Sequence, residues 1–253
     1  ASSSNDWGYN MPRHGKNTVF LHDQYNLTSS LDSVSIDRSI AALDTTVFGL
    51  DSRTYTPGQK DGTISVEGFA DPAATGIDTI LTNSFGGAST LVTMTTNGTA
   101  AGSNAYLMDA IENQYTTSSS VSELVRITGE YQAAQDSIDA GVLLIPITTA
   151  GSGGVDGATH DRGAGATAPN GFVALFHVTA ASGTDPTLDM TIQTDDNSGF
   201  TSPTALTTFT TATATSAQRS EINVTIERYV RVTYTIGGTD TPSFTFVVSF
   251  ATR

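Results

Sequence analysis

Short runs of apolar or alternating residues, separated by turn clusters, dominate this sequence and restrict it to mainly β folds. In the last third of the chain such runs follow one another at nearly even spacing, at residues 171–179, 187–194, 206–210, 218–226, 228–236 and 243–250. Clusters of Gly, Ser, Asp and Pro divide them. This regular spacing is typical of a sandwich of two sheets. We therefore predict a C-terminal β-sandwich, Ig-like or jelly-roll in topology, over residues 171–253.

The first part of the chain has the same pattern with one helical interruption. Strand-like runs lie at residues 19–21, 31–36, 62–68, 90–95, 105–116, 121–132 and 141–147. Asp71 and Pro72 form a helix start signal, and Ile77, Ile80 and Leu81 follow at helical spacing before two glycines. We predict one short α-helix in an otherwise β domain.

The connecting segments suggest how the chain is divided. A chain of 253 residues exceeds the usual size of one domain, about 100 to 150 residues. Residues 150–170, rich in glycine and small side chains, bury too little apolar area to fold alone. We predict an extended N-terminal arm at 1–16, a β domain at 17–149, a flexible glycine-rich linker at 150–170 and the sandwich at 171–253. Residues 48–61 are predicted to form a long exposed loop.

Composition narrows the class of protein. The net charge of -14 argues against an ordinary basic surface for nucleic acid, and the absence of cysteine excludes a disulfide framework. No apolar run approaches the roughly 18 residues that cross a bilayer, and the first 16 residues lack the pattern of a signal peptide. We predict no membrane partner.

No residue pattern points to catalysis. Neither a GxSxG nucleophile elbow nor a phosphate-binding GxxxxGK[ST] loop occurs, and His177 lies in a strand where a hydrogen-bonded core histidine is the favoured interpretation. The residues from Asp195 to Gly199 are typical of a polar turn rather than a calcium loop. Asp185, Asp189 and Glu221 leave open a carbohydrate-active sandwich. We predict no enzyme activity, no cofactor and no metal site.

Several segments in order resemble a known family. The text RHGKNTVFLHDQYNLTSSLDSVSIDRS, then LDTTVFG, YTPG and KDGTISVEG, resembles phage major tail proteins, which build the tail tube. The resemblance covers about residues 13–147 and implies a tail-tube-like β-sandwich or barrel there. Residues 171–253 are similar to a C-terminal β-sandwich module of phage virion proteins.

This resemblance implies self-association into hexameric rings that stack into a tube. Other tail or head proteins would be partners, and phage DNA would pass through the lumen with transient, non-adhesive contact. The protein would be assembled in the host cytoplasm and reside in the virion, in the tail rather than the head. Residues 1–150 hold 16 acidic and 6 basic side chains, so an acidic lumen is expected. Glu112, Glu123 and Glu130 are the lumen-facing candidates.

Aromatic residues outside the strand-like runs are candidate assembly contacts. Trp7 and Tyr9 lie in the arm, and Phe48 and Tyr55 lie in the predicted loop. Two other virion roles remain open: a capsid decoration or head-stabilising protein, and a module that binds host-surface glycans. In the last case Phe200, Tyr229 and Tyr234 would be the stacking platforms.

Overall fold

The computed structural model describes residues 15–163 and 171–253, which form a mainly β fold with a single α-helix. Every strand pairing in the described residues is antiparallel. The predicted fold class is confirmed.

The helix α1 spans Ile77–Ser84 and lies between the fourth and fifth strands. The strands before residue 152 are β1 (Val19–His22), β2 (Tyr25–Asn26), β3 (Leu31–Asp44), β4 (Tyr55–Phe69), β5 (Thr90–Thr95), β6 (Asn104–Ser118), β7 (Arg126–Ala133) and β8 (Asp139–Gly151). The later strands are β9 (Gly153–Asp156), β10 (His160–Asp161), β11 (Phe172–Asp195), β12 (Thr204–Thr208), β13 (Ser216–Ile222) and β14 (Tyr229–Thr252).

These strands build four layers. The first layer is β3, β4, β7 and the second part of β6, and the second layer is β2, β1, β5 and the first part of β6. The third layer is β13, the start of β11, the end of β14 and β8. The fourth is β12, the end of β11, the start of β14, β9 and β10. Strand β8 pairs with both β6 and β14, so the second and third layers belong to one continuous sheet.

A separate apolar core fills each gap between layers. Between the first and second layers lie Phe20, Ile64, Tyr131 and their neighbours, together with the apolar face of α1. Between the third and fourth lie Phe176, Phe246, Val232 and other residues of β11 and β14. These two cores are what the alternating strand patterns predict.

The gap between the second and third layers contains a third core, which we call the junction. It comprises Val19 and Leu21 of β1, Ala105 and Leu107 of β6, Leu143 of β8, Val173 and Leu175 of β11, and Val247 and Ala251 of β14. Strand β1 and the first seven residues of β11 are consequently buried on both faces, as their unbroken burial shows. Gly141 allows β8 to approach β14 here, because a Cβ atom would lie 2.1 Å from the carbonyl oxygen of Phe250.

The four C-terminal runs that were predicted as separate strands are two long strands. Residues 171–179 and 187–194 both belong to β11, and residues 228–236 and 243–250 both belong to β14. The turn clusters between them are bulges, with Gly183, Asp185 and Asp240 in left-handed conformations. The two strands stay paired through this corner while the sheet passes from the third layer to the fourth.

Part of the predicted linker is paired rather than free. Residues Gly153–Asp156 of β9 and His160–Asp161 of β10 hydrogen-bond to β14, and residues 164–170 lie outside the described residues. A glycine-rich segment has little apolar surface to bury, but its backbone N–H and C=O groups can still pair with an open strand edge. A flexible tether is therefore wrong for the described part of this segment, and the division into two domains stays a prediction.

Other element boundaries also differ from prediction. Helix α1 begins at Ile77 rather than Pro72, because the Asp71 side chain accepts the N–H of Ala73 in a local turn instead of capping the helix. The predicted loop at 48–61 is shorter, since Tyr55 already begins β4. Strand β7 begins at Arg126 rather than at Val121.

Candidate assembly surface

The outward side of the first layer is a flat surface of polar side chains, which we call the polar face. Alternation along each strand sends apolar residues inward and these outward: Ser33, Ser35 and Asp37 on β3, Thr63, Ser65 and Glu67 on β4, Thr128, Glu130 and Gln132 on β7, and Gln114 and Thr116 on β6. They form cross-strand rows such as Ser35, Ser65, Glu130 and Gln114. Ile111 of β6, which is 40 % exposed and pairs with Gln132, adds an apolar residue to a face that otherwise presents polar groups to water.

The charges on the polar face are sparse and mainly negative. Arg126 is bound at one end by Asp32 at 2.8 Å and lies 3.8 Å from Glu67. Glu130 lies near the centre, paired across β4 and β7 with Ser65. The predicted lumen candidate Glu123 is exposed in the connection between β6 and β7.

Glu112 was predicted to face a lumen, and the structure contradicts this. Its side chain is 1 % exposed and points to the opposite side of β6, where it pairs with Ser84 of α1. Burial raises the pKa of Glu112 to about 7, although the hydrogen bond from Ser84 acts in the other direction. Its Oε1 atom has no hydrogen-bond partner. Alternation alone could not show this, because a bulge between Glu112 and Gln114 shifts the register.

The first layer has two open edges within the described residues. Strand β3 pairs only with β4, and β6 beyond Ala110 pairs only with β7. The Glu112 carbonyl oxygen on the β6 edge accepts the N–H of Gly86, and the other outward backbone groups of these edges have no strand partner in the described residues, so they could pair with another strand.

Beyond the rest of the first layer, β3 and β4 continue as a two-stranded hairpin. The β4–β7 pairing ends at Thr63 and Gln132, whereas the β3–β4 pairing continues to Asp44 and Tyr55. Isolated two-stranded hairpins are marginally stable in water. The exposed apolar side chains of this hairpin are Ile40, Leu43, Val47, Phe48, Leu50 and Tyr55. Such a concentration of exposed apolar surface makes the hairpin a candidate contact site.

The opposite end of the first layer carries a second exposed apolar group. Val121, Leu124 and Val125 precede β7, and Phe69 ends β4 beneath the guanidinium of Arg126, 5.0 Å from its ring centre. Because Phe69 and Tyr55 are the two ends of β4, the two apolar groups lie at opposite ends of the same sheet.

The four predicted assembly residues divide into two pairs. Phe48 and Tyr55 are both exposed on the hairpin, Phe48 completely. Trp7 and Tyr9 lie outside the described residues. Sequence reasoning missed the exposed ends of β3 and β4 and the open edges of the first layer.

Buried polar residues of the junction are satisfied rather than reactive. His177 bonds through Nε2 to Thr93 Oγ1 at 2.8 Å and through Nδ1 to the Asp23 carbonyl oxygen at 2.7 Å, and Thr93 also bonds Ser249 at 3.1 Å. On the other face of β1, His22 bonds the hydroxyl of Tyr131, a residue of the core between the first and second layers, at 2.9 Å. Burial lowers the pKa of both histidines to about 4. The interpretation of His177 as a hydrogen-bonded core histidine is confirmed.

The other residues considered for chemistry have structural roles. The Asp195 carboxylate accepts the N–H groups of Asn197 and Ser202, as expected for a turn. Asp189 accepts the hydroxyl of Thr211, while Glu221 pairs with Arg219 and Arg253. The described residues contain no group of three or more His, Cys, Asp or Glu arranged to hold a metal, and none of their helices is long and apolar enough to span a membrane.

Comparison with known proteins gives weak structural similarities. No protein-family model matches the chain, and no curated protein matches it. A virion chain of a native gene transfer agent particle has 15% identity and a TM-score of 0.43, over 50% of this chain and 98% of that one. A chain of the sheath-tube complex of an extracellular contractile injection system has 15% identity and a TM-score of 0.42, over 55% and 99%. The Dit protein of phage SPP1, from a hub adsorption apparatus, has 9% identity and a TM-score of 0.35, over 93% and 99%.

Proposed function

We propose that this chain is a structural protein of a phage virion, namely the major tail protein whose copies form stacked rings of a tail tube. The observation that carries the proposal is the first layer, a polar face bounded by two open strand edges. The sequence resemblance to major tail proteins supplies the ring number of six. The protein has no catalytic task in this proposal.

The strand directions support ring closure. The order β3, β4, β7, β6 alternates throughout, so β3 and β6 run in opposite directions. When the β6 edge of one copy meets the β3 edge of the next, the new pair is antiparallel like every other pair. This is a head-to-tail contact between two different surfaces, which generates a closed ring when the rotation fits.

Stacking of rings uses the two apolar ends of the first layer. The hairpin tip, with Phe48 and Tyr55, would leave its own ring and pack on the Val121, Leu124 and Phe69 end of a copy in the next ring. This contact would bury side chains that are exposed in the single chain. Trp7 and Tyr9 remain further candidates for contacts between copies.

The polar face would line the bore. Asp37, Glu67 and Glu130 would then repel DNA phosphates within the Debye length of about 8 to 10 Å, while the Ser, Thr and Gln side chains keep the wall wetted. A basic wall would instead hold DNA by releasing counterions. In this proposal Glu130 faces the lumen and Glu123 lies near the rim of the bore, whereas Glu112 is buried and does not face the lumen.

The C-terminal half would lie on the outside of the tube. The order of layers supports this, because the third and fourth layers stack behind the second, away from the polar face. Two of the proposed glycan platforms are unsuitable for display, since Phe200 and Tyr234 are buried and only Tyr229 is partly accessible.

Negative-stain electron microscopy of the purified chain tests the proposal. We expect hexameric rings and tubes from the wild type and rings without tubes from Phe48→Ser. The matched control is Val155→Ser, which changes a half-exposed apolar residue on β9 and should still give tubes. Trimers or capsid-bound knobs would instead identify a decoration protein and overturn the tail assignment.

Retention of DNA by assembled tubes tests the bore. Glu130→Lys should increase retention and make it depend on salt, whereas Asp196→Lys, an exposed change in the C-terminal half, should leave it unchanged. Equal effects of both substitutions would show that the polar face does not line the bore.

A further inference from the structure

The last turn of α1 is attached to the open edge of β6 through Glu112. The Gly86 N–H donates to the Glu112 carbonyl oxygen at 3.2 Å, and the Ser84 hydroxyl pairs with the carboxyl group of the same residue. This carbonyl lies on the side of β6 that faces away from β7, where no other strand pairs within the described residues. We call residues 84–86 the edge cap, because they cover the β6 edge at this point.

The count of hydrogens at this contact indicates that Glu112 carries a proton. Ser84 Oγ lies 3.1 Å from the carbonyl oxygen of Ile80 and 3.3 Å from that of Leu81, besides its contact with Glu112 Oε2. A serine hydroxyl has one hydrogen, so it serves either a carboxylate or a helix carbonyl. If Glu112 is protonated, its O–H donates to Ser84 Oγ and the Ser84 hydroxyl donates to the helix. Only this form satisfies the whole contact.

Burial favours the same protonated form. The Glu112 side chain is 1 % exposed, and its Oε1 atom has no hydrogen-bond partner among the described residues. A negative charge on such an oxygen loses its hydration without compensation, whereas a neutral carboxylic acid loses much less. Burial accordingly raises the pKa of Glu112 to about 7. The proton is therefore exchanged with solvent close to neutral pH.

The elements packed around Glu112 provide acidic groups rather than a replacement cation. Its cross-strand neighbour on β7, Tyr131, bonds His22 of β1, and burial lowers the pKa of His22 to about 4, so this histidine is neutral where Glu112 titrates. Burial also raises the pKa of Tyr131, and the carboxyl groups of Glu112 and Asp23 raise it further. The one charged residue of α1, Asp78, bonds a tyrosine hydroxyl elsewhere on β6. The ion-paired arginines of the described residues bind other carboxylates.

We propose that the proton on Glu112 holds the edge cap on β6, and that loss of this proton to solvent releases the cap and opens the β6 edge to another strand. A carboxylate at this position gains hydration only if the last turn of α1 moves aside, and the Gly86 bond to the same residue then breaks as well. Packing does not hold the turn in place, since a Cβ atom on Gly86 would meet no atom within 4 Å. The cap is closed below about pH 7 and released as the pH rises through that value.

The released edge is the one at which the proposed function places a neighbouring copy. Control of that contact by pH therefore rests on the proposed function, whereas the movement of the cap is a property of the single chain. The test is accordingly made on the dilute, full-length protein, at a concentration where sedimentation shows one copy.

Hydrogen exchange of individual backbone amides, measured by mass spectrometry with fragmentation, tests the cap. After correction for the intrinsic effect of pH on exchange, protection of the Gly86 amide should fall roughly tenfold between pH 5.5 and pH 8.5, because opening is linked to loss of the proton. Gly102 provides the matched control amide. It is also an exposed glycine of positive φ, and its N–H bonds the Leu143 carbonyl oxygen at 2.8 Å, before the start of β6. Its protection should stay constant.

Two substitutions identify the group that controls the cap. Glu112→Gln keeps the size of the side chain, does not titrate, and has an amide N–H that can donate to Ser84 as the protonated acid does. Gly86 should then be as protected at pH 8.5 as at pH 5.5. Glu130→Gln makes the same change on the outward face of β7 and should keep the wild-type fall. Unchanged protection of Gly102 shows that each variant is folded.

Two results would overturn the proposal. One is equal protection of Gly86 at both pH values in the wild type. The other is a wild-type fall that persists in Glu112→Gln, which would assign control of the cap to another group. Neither result depends on tubes. A pH-dependent cap in a chain that forms no rings would leave this inference standing and remove the tube assignment, and rings with a constant cap would do the reverse.

Discussion

The junction and the β3–β4 hairpin contain the same types of apolar side chain, but the junction buries them and the hairpin exposes them. Leu175 in the junction is 1 % exposed, whereas Leu43 on the hairpin is 52 % exposed. Polar groups of the junction, such as those of Thr93 and His177, are bonded to one another. In the described residues, by contrast, the backbone groups along the outer edge of β3 have no strand partner. Because the junction covers its apolar side chains and the hairpin does not, the proposed contact of the hairpin with another copy can be tested by comparing the two regions.

The largest expected effect separates the two regions by stability. Leu175→Ala should lower the free energy of unfolding by about 3 to 4 kcal/mol, because it leaves a cavity between two packed layers. Leu43→Ala, the same change on the hairpin, should cost less than about 0.5 kcal/mol. Urea unfolding followed by circular dichroism measures both costs, and equal costs would show that the two regions do not differ in packing.

We also expect one unfolding transition for the whole chain, and two separate transitions would mean that the junction does not couple the halves.

Acid should weaken the junction. Burial holds the pKa of His177 at about 4 in the folded protein, while the unfolded histidine takes up a proton near 6.5. The unfolded state therefore binds more protons in this window, and stability is lost as pH falls from about 6.5 through 4. By pH 4, the difference in the pKa of His177 between the two states should have lowered the free energy of unfolding by about 2 to 3 kcal/mol.

His177→Gln provides the check on this acid effect, because its side chain does not titrate. Unfolding measured from pH 7 to pH 4 should show a smaller loss in the variant, and part of the remainder should come from His22, whose pKa is also lowered to about 4, and from His160, whose pKa is lowered by burial. The same substitution at the half-buried His160 on β10, whose pKa is also lowered by burial, provides the comparison and should reduce the acid loss less than His177→Gln does. If His177→Gln leaves the loss of stability between pH 7 and pH 4 unchanged, His177 is not the source of that loss.

The region around buried Glu112 in the first layer should lose stability as the pH rises. The pKa of Glu112 is raised to about 7, so its proton stabilises the folded state below about 4.5 in full and is lost as pH rises through 7. We expect a loss of about 1 to 2 kcal/mol between pH 5 and pH 8, which is less than the full pKa shift would give because solvent partly screens the carboxylate. Glu112→Gln should flatten this limb in thermal unfolding, while Glu123→Gln, an exposed change, should preserve it.

The smallest expected effect on stability belongs to the hairpin tip. Phe48→Ser removes a ring that is completely exposed, and the free energy of unfolding of the monomer should change by less than about 0.5 kcal/mol. Light scattering of the same sample should nevertheless show reduced self-association. A loss of stability comparable to that of Leu175→Ala would mean that Phe48 packs within the chain and is no contact for another copy.

Much of the local structure could be predicted from the sequence because it depends on nearby residues. Strand β5 spans Thr90–Thr95 as predicted, and Ile77, Ile80 and Leu81 give α1 its buried face. The paired course of β11 and β14 through their corner could not be predicted, because Gly183 and Gly238 give the same signal in a bulge as in a reversing turn.

The junction depends on contacts between residues far apart in the chain, such as Leu21 with the strands that contain Leu175 and Val247. One signal was nevertheless present in the sequence. The run FVALFHV at the start of β11 is apolar without alternation, which is typical of a strand buried on both faces. The open edges of the first layer gave no such signal, because a polar strand beside solvent and one awaiting a partner have the same composition.

The bulged corner of β11 and β14 has a consequence for engineering. Residues 182–185 and 239–241 are exposed there, and the pairing on both sides is supported by separate layers. A foreign peptide grafted between Asp240 and Thr241 would interrupt neither the junction nor the first layer. The C-terminal half could thus carry cargo at this corner, although it could not be exchanged as a whole cassette, because β8 and β14 are shared by the sheet that joins both halves.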